Sequence, residues 1–197
     1  DNSKDSADKS GVASSIVGTA NRIANSNNTT IIGAGNEVTN SLTDFTAPTE
    51  GGASVKALQA TLKNTLQKDA KGAVVVSGIG NKVDSANSIS LSGSRNTIKN
   101  TKNAQIFGDN REVTKSNGVI IIGSADKTLE TTNVKNSTII GHNANAQNDA
   151  LAVGESAKAG NNSIAIGMQA SAGYSQSMAL GNHASRADDV TISSALV

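Results

Sequence analysis

Short apolar runs of alternating pattern, each closed by a glycine, recur along the chain. The anchor glycines are Gly18, Gly33, Gly78, Gly93, Gly108, Gly123, Gly141, Gly154, Gly167 and Gly181, spaced 15, 45, 15, 15, 15, 18, 13, 13 and 14 residues apart. Alternation with a period of two marks strands with distinct faces, and one period sustained over ten anchors marks a repeat architecture. The six earlier repeats place an aliphatic residue two before the glycine, at Ile16, Ile31, Val76, Leu91, Ile106 and Ile121. They continue as Gly-x-x-Asn-x-aliphatic, as in Asn36 with Val38 and Asn81 with Val83. Arg111 with Val113, and Asp126 ahead of Leu129, are looser copies. The last three repeats read Leu151-Ala152-Val153-Gly154, Ile164-Ala165-Ile166-Gly167 and Met178-Ala179-Leu180-Gly181, and their second half becomes Gly-x-x-Ala-x-Ala. Gly141 is a hybrid, with Ile139 and Ile140 before it and Ala144 and Ala146 after it.

Each repeat therefore predicts one coil: strand, glycine turn, strand, polar turn. Glycine tolerates a backbone conformation that a Cβ resists. Segments such as Asn25-Ser26-Asn27-Asn28 suit the closing turns, because their side chains satisfy local backbone groups. The fold class is all-β, a parallel β-roll built as a solenoid of 13–15-residue coils with one helical insertion. Ten such coils would rise about 48 Å at the usual strand spacing. Residues 1–13 form a poorly ordered tail, 14–197 the roll, and 41–71 an inserted loop and helix. In the insertion Val55, Leu58, Leu62 and Leu66 make one helical stripe, with Ser54 as N-cap. That stripe packs on the flank of the roll or on a neighbouring chain, or else the outer face of the insertion meets a receptor. A second, smaller insertion lies near 126–135, as a surface excursion or a bulge at Leu129.

Composition sharpens this picture. The 197 residues include two Phe, one Tyr, no Trp, one Pro and no Cys, so the interior must be aliphatic and alanine. Val74-Val75-Val76 and Val119-Ile120-Ile121-Ile122 put apolar groups on both faces of a narrow coil. One outer face then has to be covered, and self-association about a symmetry axis is the economical way. Core or interchain packing is predicted for Ile106, Phe107, Ile121, Ile139, Val153, Ile164, Ile166 and Leu180. A net charge of +1 without a basic cluster argues against nucleic acid. No apolar run is long enough for a membrane-spanning helix. The start, Asp1-Asn2-Ser3-Lys4-Asp5, does not read as a signal peptide.

Little here suggests chemistry. Zero Cys excludes thiolate metal sites and cysteine nucleophiles. His142 and His183 each follow an anchor glycine and stand alone, so neither metal, cofactor nor catalytic residue is assigned. A hexapeptide-type acyltransferase solenoid would need a six-residue rhythm, a calcium roll Gly-Gly-x-Gly-x-Asp repeats, and an ice-binding solenoid a flat Thr-x-Thr array. None of these patterns is present. The reading is a non-enzymatic binding module, with a purely structural spacer or autoaggregation module as the alternative.

Asn162-Ser163-Ile164-Ala165-Ile166-Gly167-Met168-Gln169-Ala170-Ser171-Ala172 resembles, almost position by position, the YadA-like head repeat of trimeric autotransporter adhesins, N/S-S-V-A-I-G-x-x-S/A-x-A. Residues 149–159 and 176–184 match well. The resemblance is specific over about 136–190 and weaker over 14–40 and 73–135, where the motif becomes Gly-x-x-Asn-x-Val. It implies a left-handed roll, a homotrimer, and a place on the bacterial cell surface, anchored in the outer membrane through other parts of a longer protein. It also implies attachment to host cell-surface glycoproteins, CEACAM-type receptors among them, or to extracellular matrix. The family's heptad stalk, neck motif and β-barrel anchor are missing, so the chain reads as an excised head.

Contact residues are predicted where the repeat is broken. Asp44, Phe45, Lys56 and Lys63 lie in the large insertion, where repeat scaffolds often carry a binding face. Tyr174 lies in a turn. Arg111 and Arg186 replace Asn and Ala and are expected in interchain ion pairs or surface contacts.

Overall fold

The computed structural model describes residues 11, 13–43, 54–69 and 72–186. They belong to two compact units that divide between Asn103 and Ala104. The first unit stacks four coils: β1 (Ser15–Thr19) with β2 (Arg22–Ala24), β3 (Thr29–Ala34) with β4 (Glu37–Thr39), β5 (Val74–Ile79) with β6 (Lys82–Asp84), and β7 (Asn87–Ser94) with β8 (Thr97–Lys99). Strands pair in parallel in the order β1-β3-β5-β7 on one side and β2-β4-β6-β8 on the other. Helix α1 (Val55–Asp69) lies between β4 and β5 in the chain. Gly33 nevertheless pairs with Gly78, so the 45-residue spacing is an excursion that returns to the next rung. Ser54 caps the helix as expected, its Oγ accepting the Ala57 N–H at 3.2 Å.

The second unit stacks six coils. Their strands are β9 (Lys102–Phe107), β10 (Arg111–Thr114), β11 (Asn117–Ile122), β12 (Leu129–Thr132), β13 (Lys135–Ile140), β14 (Asn145–Ala146), β15 (Leu151–Val153), β16 (Lys158–Ala159), β17 (Ile164–Ile166), β18 (Ser171–Ala172), β19 (Met178–Leu180) and β20 (Ser185–Arg186). The odd strands form one ladder, and β10-β12 and β14-β16-β18-β20 form two on the other side. The fold is thus a parallel β-solenoid with one described helix.

Counting back from the anchor glycines that follow Gly18, the second and fourth positions point inward; on the first rung Ile16 is exposed. Val74 and Val76, Ile89 and Leu91, and Val119 and Ile121 are all buried there. In the last three coils the slot two before the glycine holds Ala152, Ala165 and Ala179, also buried. Ile139 pairs directly with Ala152, so the change of repeat class is a change of core filling in an unbroken register. The parity divides the residues predicted for core or interchain packing into two faces. Ile106, Ile121 and Ile139 are fully buried, Val153 and Ile164 are half-buried, and Phe107, Ile166 and Leu180 are 42%, 40% and 59% exposed. The last three sit one residue before a glycine, on the opposite face of the strand from the core slot.

Gly33 and Gly154 show why the anchor is invariant along the chain. Their φ angles are 134° and 132°. A Cβ added at either would overlap the carbonyl oxygen of the matching glycine on the next rung, Gly78 or Gly167. Both torsion and space exclude a side chain.

The slot three after the glycine holds Asn21, Asn36, Asn81 and Asn96 in the first unit, and these form a ladder. Asn81 Nδ2 donates to Asn36 Oδ1 at 2.9 Å and to the Gly93 carbonyl at 2.7 Å. Asn96 Nδ2 donates to Asn81 Oδ1 at 3.0 Å, and that same oxygen accepts the Asn96 backbone N–H at 3.0 Å. Each amide therefore satisfies the next rung's backbone and a turn carbonyl at once, which a buried polar group requires. In the Gly108 coil, the first of the second unit, the equivalent slot is taken by Arg111, and the surface or interchain role expected for it is wrong. Arg111 is fully buried. It donates to the carbonyls of Gly123 at 2.8 Å, Gly141 at 3.1 Å and Ala144 at 2.8 Å, so its longer side chain bridges three coils. Burial lowers its pKa to about 10, and it is still protonated at neutral pH.

The smaller insertion is also resolved. Arg111 pairs with Leu129 and Val113 with Thr131. The 18-residue spacing therefore adds three residues, Asp126 to Thr128, ahead of β12. Asp126 is not a strand residue and Leu129 is not a bulge; the excursion alone is present.

Candidate binding surface

The two sides of the solenoid differ outside as well as inside. In the first unit the outward row of the even strands runs Arg22, Glu37, Lys82, Thr97 in register, and Arg22 forms an ion pair with Glu37. In the second unit the outward row of the odd strands is apolar: Ile122, Ile140, Val153, Ile166 and Leu180 lie in register from β11 to β19. Ile120 and Met178 flank them and are also exposed. The interior beneath is already complete, so this stripe contributes nothing to the packing of its own chain. Contiguous exposed apolar surface of this kind marks an interaction site. The first unit interrupts the equivalent row, with Val17 and Ile32 followed by Ser77 and Ser92.

The predicted contact residues scatter. Asp44 and Phe45 lie outside the described residues, as does nearly all of the 1–13 tail. Lys56 and Lys63 are exposed on α1, seven residues apart, hence two turns along one helix face. The side chains of Leu58, Leu62 and Leu66 lie outside the description, so the packing of that stripe is not part of it. Tyr174 belongs to the second unit and its ring is exposed. Its turn is held in place, since the Tyr174 carbonyl accepts hydrogen bonds from Ser163 Oγ at 2.6 Å and Ser177 Oγ at 2.7 Å. The predicted residues thus do not form one cluster.

One polar constellation went unread in the sequence. Asp126 Oδ1 hydrogen-bonds His142 Nε2 at 2.9 Å, and its Oδ2 accepts from Asn143 Nδ2 at 2.7 Å. The Asp126 N–H returns a bond to Asn143 Oδ1 at 3.0 Å. The three residues clasp the 126–128 excursion to the coil after Gly141. Asn143 first, then His142, holds the Asp126 carboxyl below its ordinary value. His183, at the equivalent turn of the last coil, has φ 54° and occupies the left-handed position of the glycine turn.

No family model matches the chain, and no curated protein matches it significantly. Among the described residues, no helix is long and apolar enough to cross a membrane.

Proposed function

We propose that this chain is the head of a trimeric surface adhesin, a non-enzymatic module that meets host cell-surface glycoproteins or extracellular matrix. The observation that carries the reading is the apolar stripe of the second unit. A solenoid with a finished interior still presents Ile122, Ile140, Ile166 and Leu180 outward in one register, which is the surface a side-by-side assembly of copies needs. The head-repeat resemblance over 162–172 supports three copies and a bacterial surface location. In such an assembly the apolar side faces the axis and the polar side faces outward. Repetition of weak contacts over three copies would then raise avidity without any strong single site.

The test is a solid-phase binding panel of fibronectin, laminin, collagen and CEACAM-type ectodomains with the intact chain. Saturable binding to at least one member is expected. A correctly folded trimer that binds none, yet drives aggregation of particles coated with it, would favour the spacer or autoaggregation reading. The near-uniform coils from Gly141 to Gly181 are the region that reading would explain best.

A further inference from the structure

We propose that the second unit binds an acidic oligosaccharide, through its carboxylate, in a groove beside the 126–128 excursion. The proposal rests on the adhesin reading and names the class of ligand. Two cavities of about 410 Å³ each lie there and share Leu129, Asn143 and Lys158. Both are shallow and open to solvent, with the volume of a small-ligand site. Ser156 lines one and Ser171 the other, while Ala159 and Gly160 form a floor with little side chain.

Lys158 is the centre of the site. It points outward from β16, with Asn145 on β14 and Ser171 on β18 as its partners in register. Rungs stand about 4.8 Å apart, so an ammonium is flanked along the stack by an amide and a hydroxyl. Among the described residues no carboxylate pairs with Lys158. The acid of the lining is Asp126, and both its oxygens are engaged by His142 and Asn143. The groove therefore keeps two cations outside any ion pair among the described residues, Lys127 at its rim and Lys158 at its centre, among hydroxyl and amide groups.

That chemistry selects the ligand. A peptide binding by strand addition needs an open edge of some length; β16 and β18 are paired on both sides, and β14, which ends its sheet at the groove, is only two residues long. A peptide binding by apolar anchors needs pockets, and Leu129 is the sole large apolar side chain in the lining. A hydroxyl-rich ring bearing one carboxylate matches a lysine between an amide and a serine. The groove is on the sheet away from the apolar stripe, so it stays open when the stripe is covered.

The experiment titrates the intact chain with sialyllactose, a hyaluronan tetrasaccharide, lactose and tetraglutamate, read by amide chemical shifts and calorimetry. The expected result is binding of an acidic sugar with shifts at Leu129, Asn143, Lys158 and Ser171, and lactose at least about tenfold weaker. Sialyllactose against hyaluronan tells a sialic acid from a uronic acid. Lys158→Gln should weaken the acidic sugar about tenfold with an unchanged melting curve, the loss of one charge-assisted hydrogen bond. Equal binding of lactose, preference for tetraglutamate, or full affinity in Lys158→Gln would overturn the proposal. Silence toward every sugar alongside binding in the glycoprotein panel would remove the groove and leave the adhesin reading standing; silence in both would remove both.

Discussion

The coils of the first unit and the last coils of the second enclose their interiors differently. A typical first-unit coil has 15 residues, an odd strand of up to eight residues and an even strand of three. The coils at Gly154 and Gly167 come after 13-residue steps, with strands of three and two residues. The longer perimeter holds Val, Ile and Leu on one wall and Asn with Val or Ile on the other. The shorter one holds Ala on both, at Ala152 and Ala165 against Ala157, Ala159, Ala170 and Ala172. Two residues fewer per coil draw the walls together, and interiors at crystal-like density leave no room for a branched side chain. Period and residue size are thus one variable. The Asn ladder belongs to the wide coil for the same reason, since an amide must reach both the next rung and the glycine carbonyl.

The comparison can be broken most severely at what both regions share. Gly154→Val should cost at least about 4 kcal/mol, φ strain added to backbone overlap, and chemical denaturation should show the second unit melting first. The next effect is reciprocal. Ile121→Ala should lower stability by about 2–5 kcal/mol through a cavity, while Ala165→Ile should cost about 1–3 kcal/mol through overpacking. If Ala165→Ile were neutral in thermal melting, the link between coil length and core size would fail. Asn81→Ala leaves the Asn96 N–H and the Gly93 carbonyl without their partner and should cost about 1–3 kcal/mol, measured in the same melts.

The smallest effect lies at the Asp126 clasp. The folded-state pKa of Asp126 is held below its unfolded value, so the clasp is present above ordinary carboxylate pKa values. It is lost as pH falls through the lowered folded value. Amide exchange of 126–129 should accelerate on acidification, and Asp126→Ala should show the fast exchange already at neutral pH. Exchange that stays slow in both conditions would mean that the excursion is held by other contacts.

Much of the fold was legible because the glycine is required twice over, by torsion and by the carbonyl on the next rung. Its spacing therefore counts coils directly. The strand faces were harder. Runs such as Val119-Ile120-Ile121-Ile122 are apolar on both sides, and an apolar residue does not declare whether it faces the core or a partner. Aligning both repeat classes on the glycine would have shown one inward slot, Ile139 in one class and Ala152 in the next, and placed Phe107, Ile166 and Leu180 outside. Arg111 was misread because a cation usually seeks water. The ring of turn carbonyls that a solenoid stacks beside the Asn slot is a property of neighbouring coils, not of the local sequence. The groove at Lys158 was invisible for the same reason, since its wall, floor and cation come from four different coils.

The central claim is that the outward stripe from Ile122 to Leu180 is covered by copies of the same chain. Sedimentation equilibrium of the intact chain at micromolar concentration tests it most directly. The account predicts three copies, reduced to one by the double substitution Ile140→Lys and Ile166→Lys with the solenoid still folded. A folded monomer of the unaltered chain would contradict it.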